Sequence, residues 1–215
     1  MASSASLRTI TQFKSALVGG GARPNLFEVQ IPTFPTAAGT TTWIATSGGE
    51  AEIFTFLCKA AALPASNIAP VDVPFRGRIL KVAGERTFDT WTVTIINDEN
   101  FKLRTAFERW MNGISSLTNA TGATDPTKYM TDAYVFQLGK GGGTIQSDKP
   151  SSVLSGNIKA LRSYKFYDIF PTNISQIDLS YDTTDTIEEY TVEFQVQYWT
   201  AGVGSPIENS DVTIA

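Results

Sequence analysis

Three carboxylates stand close together near the end of the chain, Glu188, Glu189 and Glu193. Paired carboxylates are the usual equipment for acid–base cleavage of a glycosidic bond. Glu189 and Glu193 share one face of an alternating segment, yet no metal ligand or partner base accompanies them. The chain contains no histidine, which removes the commonest general base and the commonest metal ligand together. The three acids therefore read as a solvated row rather than as a catalytic pair.

Other chemistry-bearing residues receive the same reading. Asp178, Asp182 and Asp185 lack the spacing and the closing Glu of a calcium loop and fit an exposed hairpin turn. Gly139-Lys140 is followed by Gly141 where a phosphate-binding loop needs Ser or Thr, so that run reads as a flexible connection. Cys58, the single cysteine, ends the apolar run Ile53-Phe54-Thr55-Phe56-Leu57 and reads as a buried, inert thiol. Asn119-Ala120-Thr121 and Asn173-Ile174-Ser175 fit the glycosylation pattern, which means little without a secretion signal. The expectation is a protein with no catalytic residues, no metal and no cofactor.

The elements that hold these residues are mostly strands. At 215 residues and 42% apolar content, the chain is long enough for one continuous core, and one domain over 1–215 is expected, with an arm at 1–21, a core at 22–199 and a tail at 200–215. Charged residues are only 18%, and Thr, Ser and Gly are plentiful, a sheet-protein composition. Strands are predicted from Phe27 to Ile31, Ile53 to Ala60, Val71 to Ala83, Thr87 to Ile96, Tyr129 to Leu138, Ile158 to Phe170, Ile174 to Tyr181 and Ile187 to Trp199. Turns are placed at Gly84-Glu85-Arg86, Pro171-Thr172-Asn173 and Asp182 to Asp185, and long loops at Thr33 to Glu50 and Gly139 to Ser152.

One flanking helix is expected, with Asn97 or Asp98 as its N-cap, acids in its first turn, an apolar stripe through Leu103, Ala106, Phe107, Trp110, Met111 and Ile114, and Gly113 ending it. The segment Met1 to Phe27 carries Arg8, Lys14 and Arg23 with no acid. That fits a short amphipathic helix through Leu7, Ile10, Phe13 and Leu17 lying on a neighbour, and less well an organelle transit peptide. No apolar run approaches the roughly 20 residues of a membrane span, and no signal-peptide block opens the chain, so no membrane is expected and synthesis is expected in the cytoplasm.

Two polar rows emerge from the strand alternation. Thr90, Thr92 and Thr94 alternate with Trp91, Val93 and Ile95; Glu189, Thr191, Glu193, Gln195 and Gln197 alternate with Tyr190, Val192, Phe194, Val196 and Tyr198. The formal charge of -4 argues against a protein that grips nucleic acid.

The chain resembles the tube proteins of contractile phage tails, in particular those of T-even-like myoviruses. The resemblance is carried by Ala22-Arg23-Pro24-Asn25-Leu26-Phe27, by Phe56-Leu57-Cys58-Lys59-Ala60-Ala61-Ala62-Leu63-Pro64, by Val82 through Thr94 with Asn97-Asp98-Glu99, by Phe170-Pro171-Thr172-Asn173-Ile174 and by Tyr198-Trp199. It implies a mainly β fold of the tail-tube type, a β-sandwich or barrel with one flanking α-helix and long loops. It further implies hexameric rings stacked into a tube, with copies of itself, the sheath protein, baseplate and tail terminator proteins as partners, and transient, non-specific passage of DNA. On that reading the protein belongs to the virion tail and is assembled in the host cytoplasm. One of the two polar rows then lines the channel, since an acidic wall repels phosphate. The region of Arg86, Thr87, Phe88 and Trp91 is expected in the framework that supports ring contacts.

Two other readings compete. The tube of a secretion or extracellular contractile injection system shares the pattern. A glycan-binding β-sandwich would use surface aromatics such as Trp43.

Overall fold

The computed structural model describes residues 9–17, 21–35, 50–142, 158–182 and 185–202. Trp43 and most of the two predicted long loops lie outside them. The elements in chain order are α1 (Ile10–Ala16), β1 (Phe27–Gln30), α2 (Glu50–Leu57), β2 (Cys58–Ala61), β3 (Ser66–Phe75), β4 (Arg78–Phe88), β5 (Trp91–Ile96), α3 (Lys102–Ile114), a 3-10 turn (Pro126–Lys128), β6 (Thr131–Gly142), β7 (Ile158–Ile174), β8 (Glu189–Gln195) and β9 (Tyr198–Gly202).

Alternation in sequence becomes alternation in burial. Trp91, Val93 and Ile95 of β5 are fully buried, and they pair antiparallel with Phe194, Val192 and Tyr190 of β8, which are buried as well. Neighbouring side chains on a strand point to opposite faces, so the residues between them form a second, polar face.

The 17-residue β7 organises the body because it takes part in two layers. Ser163 to Tyr167 pair with β9, and Phe170 to Ile174 pair with β8. One layer is therefore β1-β6-β7-β9 and the other β7-β8-β5-β2. Between the two stretches sits Asp168 with φ of 52°. The layers face each other where Trp91 stacks on Phe166, and Phe88 at the end of β4 meets Trp199 of β9 edge-on. Among the described residues β1 and β2 end the path without pairing, so a sandwich-like open sheet forms and no closed barrel.

The predicted flanking helix is α3, and Leu103, Ala106, Phe107 and Trp110 are its buried stripe. Phe107 and Trp110 pack on Phe194 at 5.8 and 6.0 Å between ring centroids. Its entry differs from the expectation. The N-cap is Phe101 in the left-handed region, with no side-chain cap, although Asp98 still accepts a hydrogen bond from the Lys102 N–H at 3.1 Å. The acids Asp98 and Glu99 precede the first turn, and Gly113 lies inside the helix, which ends at Ile114 because Ser115 turns extended.

Four further expectations are corrected. Residues 50–57 form a helix, not the start of a strand; only Cys58–Ala61 is extended. A short apolar run does not distinguish the two by period, and here Phe54 is buried against Phe107 of α3, which decides it. The hairpin turn falls at Arg76-Gly77, both at positive φ, and Gly84 lies within β4. Two positive φ values in a two-residue loop are what a tightly twisted hairpin requires. Pro171 to Asn173 is an irregularity within β7, not a turn, and residues 175–182 are not a strand. The last predicted strand breaks after Gln195 and resumes as β9, which carries Thr200 to Gly202 into the sheet.

Candidate functional site

Both predicted polar rows fall on one surface. Thr92 pairs with Glu193, Thr94 with Thr191, and Ile96 with Glu189. Gln195 continues the row opposite Phe170 of β7, and Asn173 lies beside Glu193. Thr92, Thr94, Thr191, Glu193 and Gln195 are half-buried, whereas Thr90 and Gln197 are exposed just outside the strands and Glu189 is exposed at the rim. The surface is a hydroxyl, amide and carboxylate wall on the back of a packed sheet.

The three neighbouring acids separate. Glu189 pairs with Lys59, a cation that the final strand's own pattern does not reveal. With both partners well exposed, that pair contributes little stability. Glu188 turns away and accepts a hydrogen bond from Asn97 Nδ2 at 2.6 Å, tying the exit of β5 to the approach to β8. Glu193 stays on the wall. No acid–base pair results, and among the described residues no group of three His, Cys, Asp or Glu is placed to hold a metal ion.

Cys58 is half-buried at the junction of α2 and β2. Burial pushes its thiol up to about 12, outweighing the opposing backbone hydrogen bond at Ala60. Such a thiol is protonated at neutral pH and a poor nucleophile. Burial likewise raises the Tyr190 hydroxyl above its ordinary value, with Asp98 and Glu108 adding to the rise and Arg104, over its ring, opposing it.

The β3–β4 hairpin is the second surface, and sequence reading located it only in part. Nearly every residue of both strands is exposed, including Ile68, Val71, Val73, Phe75, Ile79, Leu80 and Val82 at 43 to 66%. A two-stranded ribbon is marginal in water on its own, and exposed apolar patches mark contact surfaces. The signal available in the sequence was the alternation of Val71, Val73 and Phe75. Of the segment expected to support contacts, Arg86 and Thr87 are exposed on this ribbon, Phe88 packs on Trp199, and Trp91 is core.

An open two-layer β body with helices α2 and α3 packed on it and an uncovered ribbon describes an assembling structural subunit. Residues 22–202 match the family model of the phage tail tube protein, and the chain belongs to that family. It is 32% identical over 181 residues to the tail tube protein gp19 of Enterobacteria phage T4, covering 84% of this chain and 92% of that protein. The tail tube protein of Serratia phage KSP90 is 22% identical over 191 residues, 88% of this chain and 94% of that one. The chain is thus a structural component of a contractile phage tail and not an enzyme.

Solved structures share the fold at low identity. A chain of the cryo-EM structure of the anti-feeding prophage baseplate superposes with a TM-score of 0.55 at 11% identity, over 86% of this chain and 97% of that chain. A chain of an extracellular contractile injection system, PVC sheath/tube terminator in the extended state, does so at 0.51 and 10%, over 85% and 97%.

Proposed function

We propose that the protein forms hexameric rings that stack into the inner tube of the tail, inside the sheath, with the β5–β8 polar wall facing the lumen. The observation that carries this reading is the uncovered β3–β4 ribbon, which needs a second copy to bury its apolar residues. A head-to-tail contact that does not close on itself generates a filament, and joining sheet edges of adjacent copies removes the unpaired edges of β1 and β2. Copies of itself, the sheath protein, baseplate and terminator proteins are the partners. Assembly takes place in the host cytoplasm, and residues 1–21 act as the arm of one unit whose core runs from residue 22 through the end of β9 at Gly202, with the rest as its tail.

DNA passes through without being held. The wall offers Thr92, Thr94, Thr191, Gln195 and Glu193, and Lys59 at its rim is paired with Glu189. A wall of hydroxyls, an amide and a carboxylate gives phosphates nothing to neutralise them. The test is a phage carrying Thr92→Lys and Glu193→Lys. Tails of normal length with slowed or blocked DNA ejection are expected; normal ejection places this wall away from the lumen.

A further inference from the structure

The arm and a cleft on the opposite flank of the sequence carry matching chemistry. Helix α1 is closed at its start by a capping box between Thr9 and Gln12, but at seven residues it is too short to be stable alone in water and gains from a surface to pack on. None of its residues is buried; Ile10, Phe13 and Leu17 are exposed at 72, 63 and 45%. Positions i, i+3 and i+7 lie on one side of a helix, so these three form a stripe, with Lys14 beside it. The segment Met1 to Phe27 carries three basic residues and no acid.

Residues 176–181 and 186–189 line an open cleft of about 740 Å³, among them Ile177, Asp178, Leu179, Tyr181, Ile187 and Glu188. Leu179, Tyr181 and Ile187 are exposed at 83, 104 and 72%. The stretch 176–189 contains Asp178, Asp182 and Asp185 and no Lys or Arg; its two further acids are engaged, Glu189 with Lys59 and Glu188 with Asn97. Within one chain neither surface covers the other, since both are exposed together.

We propose that α1 of one copy docks in the cleft that residues 176–181 and 186–189 line in a second copy, seating Ile10, Phe13 and Leu17 on Leu179, Tyr181 and Ile187 with Lys14 toward Asp178. Charge selects this occupant over the β3–β4 ribbon, which carries Asp72 and Glu85 among its cations and has already paired Lys81 with Asp72. The docking rests on the tube reading and gives it a second intersubunit contact, separate from the polar wall.

The experiment uses the full chain with Cys58→Ala, Phe13→Cys and Leu179→Cys, oxidised and run on a non-reducing gel, with electron microscopy of the same sample. A ladder of disulfide-linked species is expected from the Phe13/Leu179 pair and none from Phe13→Cys paired with Leu117→Cys, a fully exposed control. No ladder, an intrachain bond only, or a ladder from Phe75→Cys with Leu179→Cys in its place overturns the docking. Tubes without a Phe13/Leu179 ladder overturn the docking and leave the tube reading standing; a ladder without tubes supports the docking and overturns the tube reading. As a second arm, Lys14→Glu lowers tube yield several-fold and Asp178→Lys added to it restores the yield; failure of the swap to restore it counts against the pairing.

Discussion

Trp91 on β5 and Phe166 on β7 stack across the interior with ring centroids 4.8 Å apart and planes 17° from parallel. Both are fully buried, so this pair joins the two layers at their centre, with Phe194 at 5.2 Å from the same indole. Replacing Trp91 with Ala removes one of the two largest side chains of the core. A loss of about 3–5 kcal/mol is expected, measured as a lowered urea midpoint at unchanged slope. An unchanged melting temperature contradicts the assignment. Trp91→Phe costs less, because the indole N–H has no hydrogen-bond partner to lose.

Asp168 marks the place where β7 passes from one layer to the other, and its φ of 52° is one that L side chains adopt at a cost. The Asp168 N–H donates to the Asp132 carboxylate at 3.3 Å, which helps hold the corner. A β-branched residue there meets the full steric penalty, so Asp168→Val should destabilise by about 1–2 kcal/mol while Asp168→Gly stays near neutral. Equal effects of the two would mean that the left-handed backbone is not what the site demands.

Gly84 sits where β3 and β4 slip register. A Cβ there would lie 2.5 Å from the Ala69 carbonyl oxygen and 3.1 Å from Val71 Cγ2. Gly84→Ala therefore distorts the ribbon and leaves the core untouched. Tube yield should fall while the thermal midpoint moves by no more than a degree or two. Normal tubes from this variant would free the ribbon from any assembly role.

Alkaline pH should weaken the fold. Cys58 and Tyr190 are acids whose folded values are raised by burial. Above the unfolded values, about 8.5 for a thiol and 10 for a phenol, the unfolded chain has lost protons that the folded chain keeps, so stability falls as pH rises. For Cys58 the loss runs from about pH 8.5 toward the folded value of about 12. Urea midpoints at pH 8 and pH 11 should differ less in Cys58→Ala/Tyr190→Phe than in the parent chain. Equal differences would contradict the burial of both groups.

The sequence made the core strands legible because one face of each is packed and the other wet. Trp91, Val93 and Ile95, and Tyr190, Val192 and Phe194, could be assigned to the interior from spacing alone, as could the α3 stripe. Two kinds of information were missing. Residues 53–57 are apolar except for Thr55, a run too short and too uniform to show a period of two or of 3.6, and contact of Phe54 with Phe107 accompanies the helix. Glycine marked turns correctly by chemistry but not by place: Gly77 makes the hairpin turn, while Gly84 is needed for close approach inside a strand. For the polar surface, alternation gave each row, but that the rows are one wall, with Lys59 at its rim, depends on a strand order joining β8 to β5 and β5 to β2. No local pattern encodes that order.

The central claim, that this chain builds a hollow tube, is tested most directly by electron microscopy of the purified protein with image averaging along and down the particle axis. The account predicts stacked rings of six subunits around an open lumen, with the Thr92–Glu193 pair on the inner wall and the β3–β4 ribbon at a contact between copies. Compact monomers at every concentration, or rings whose ribbons stand free in solvent, would contradict it.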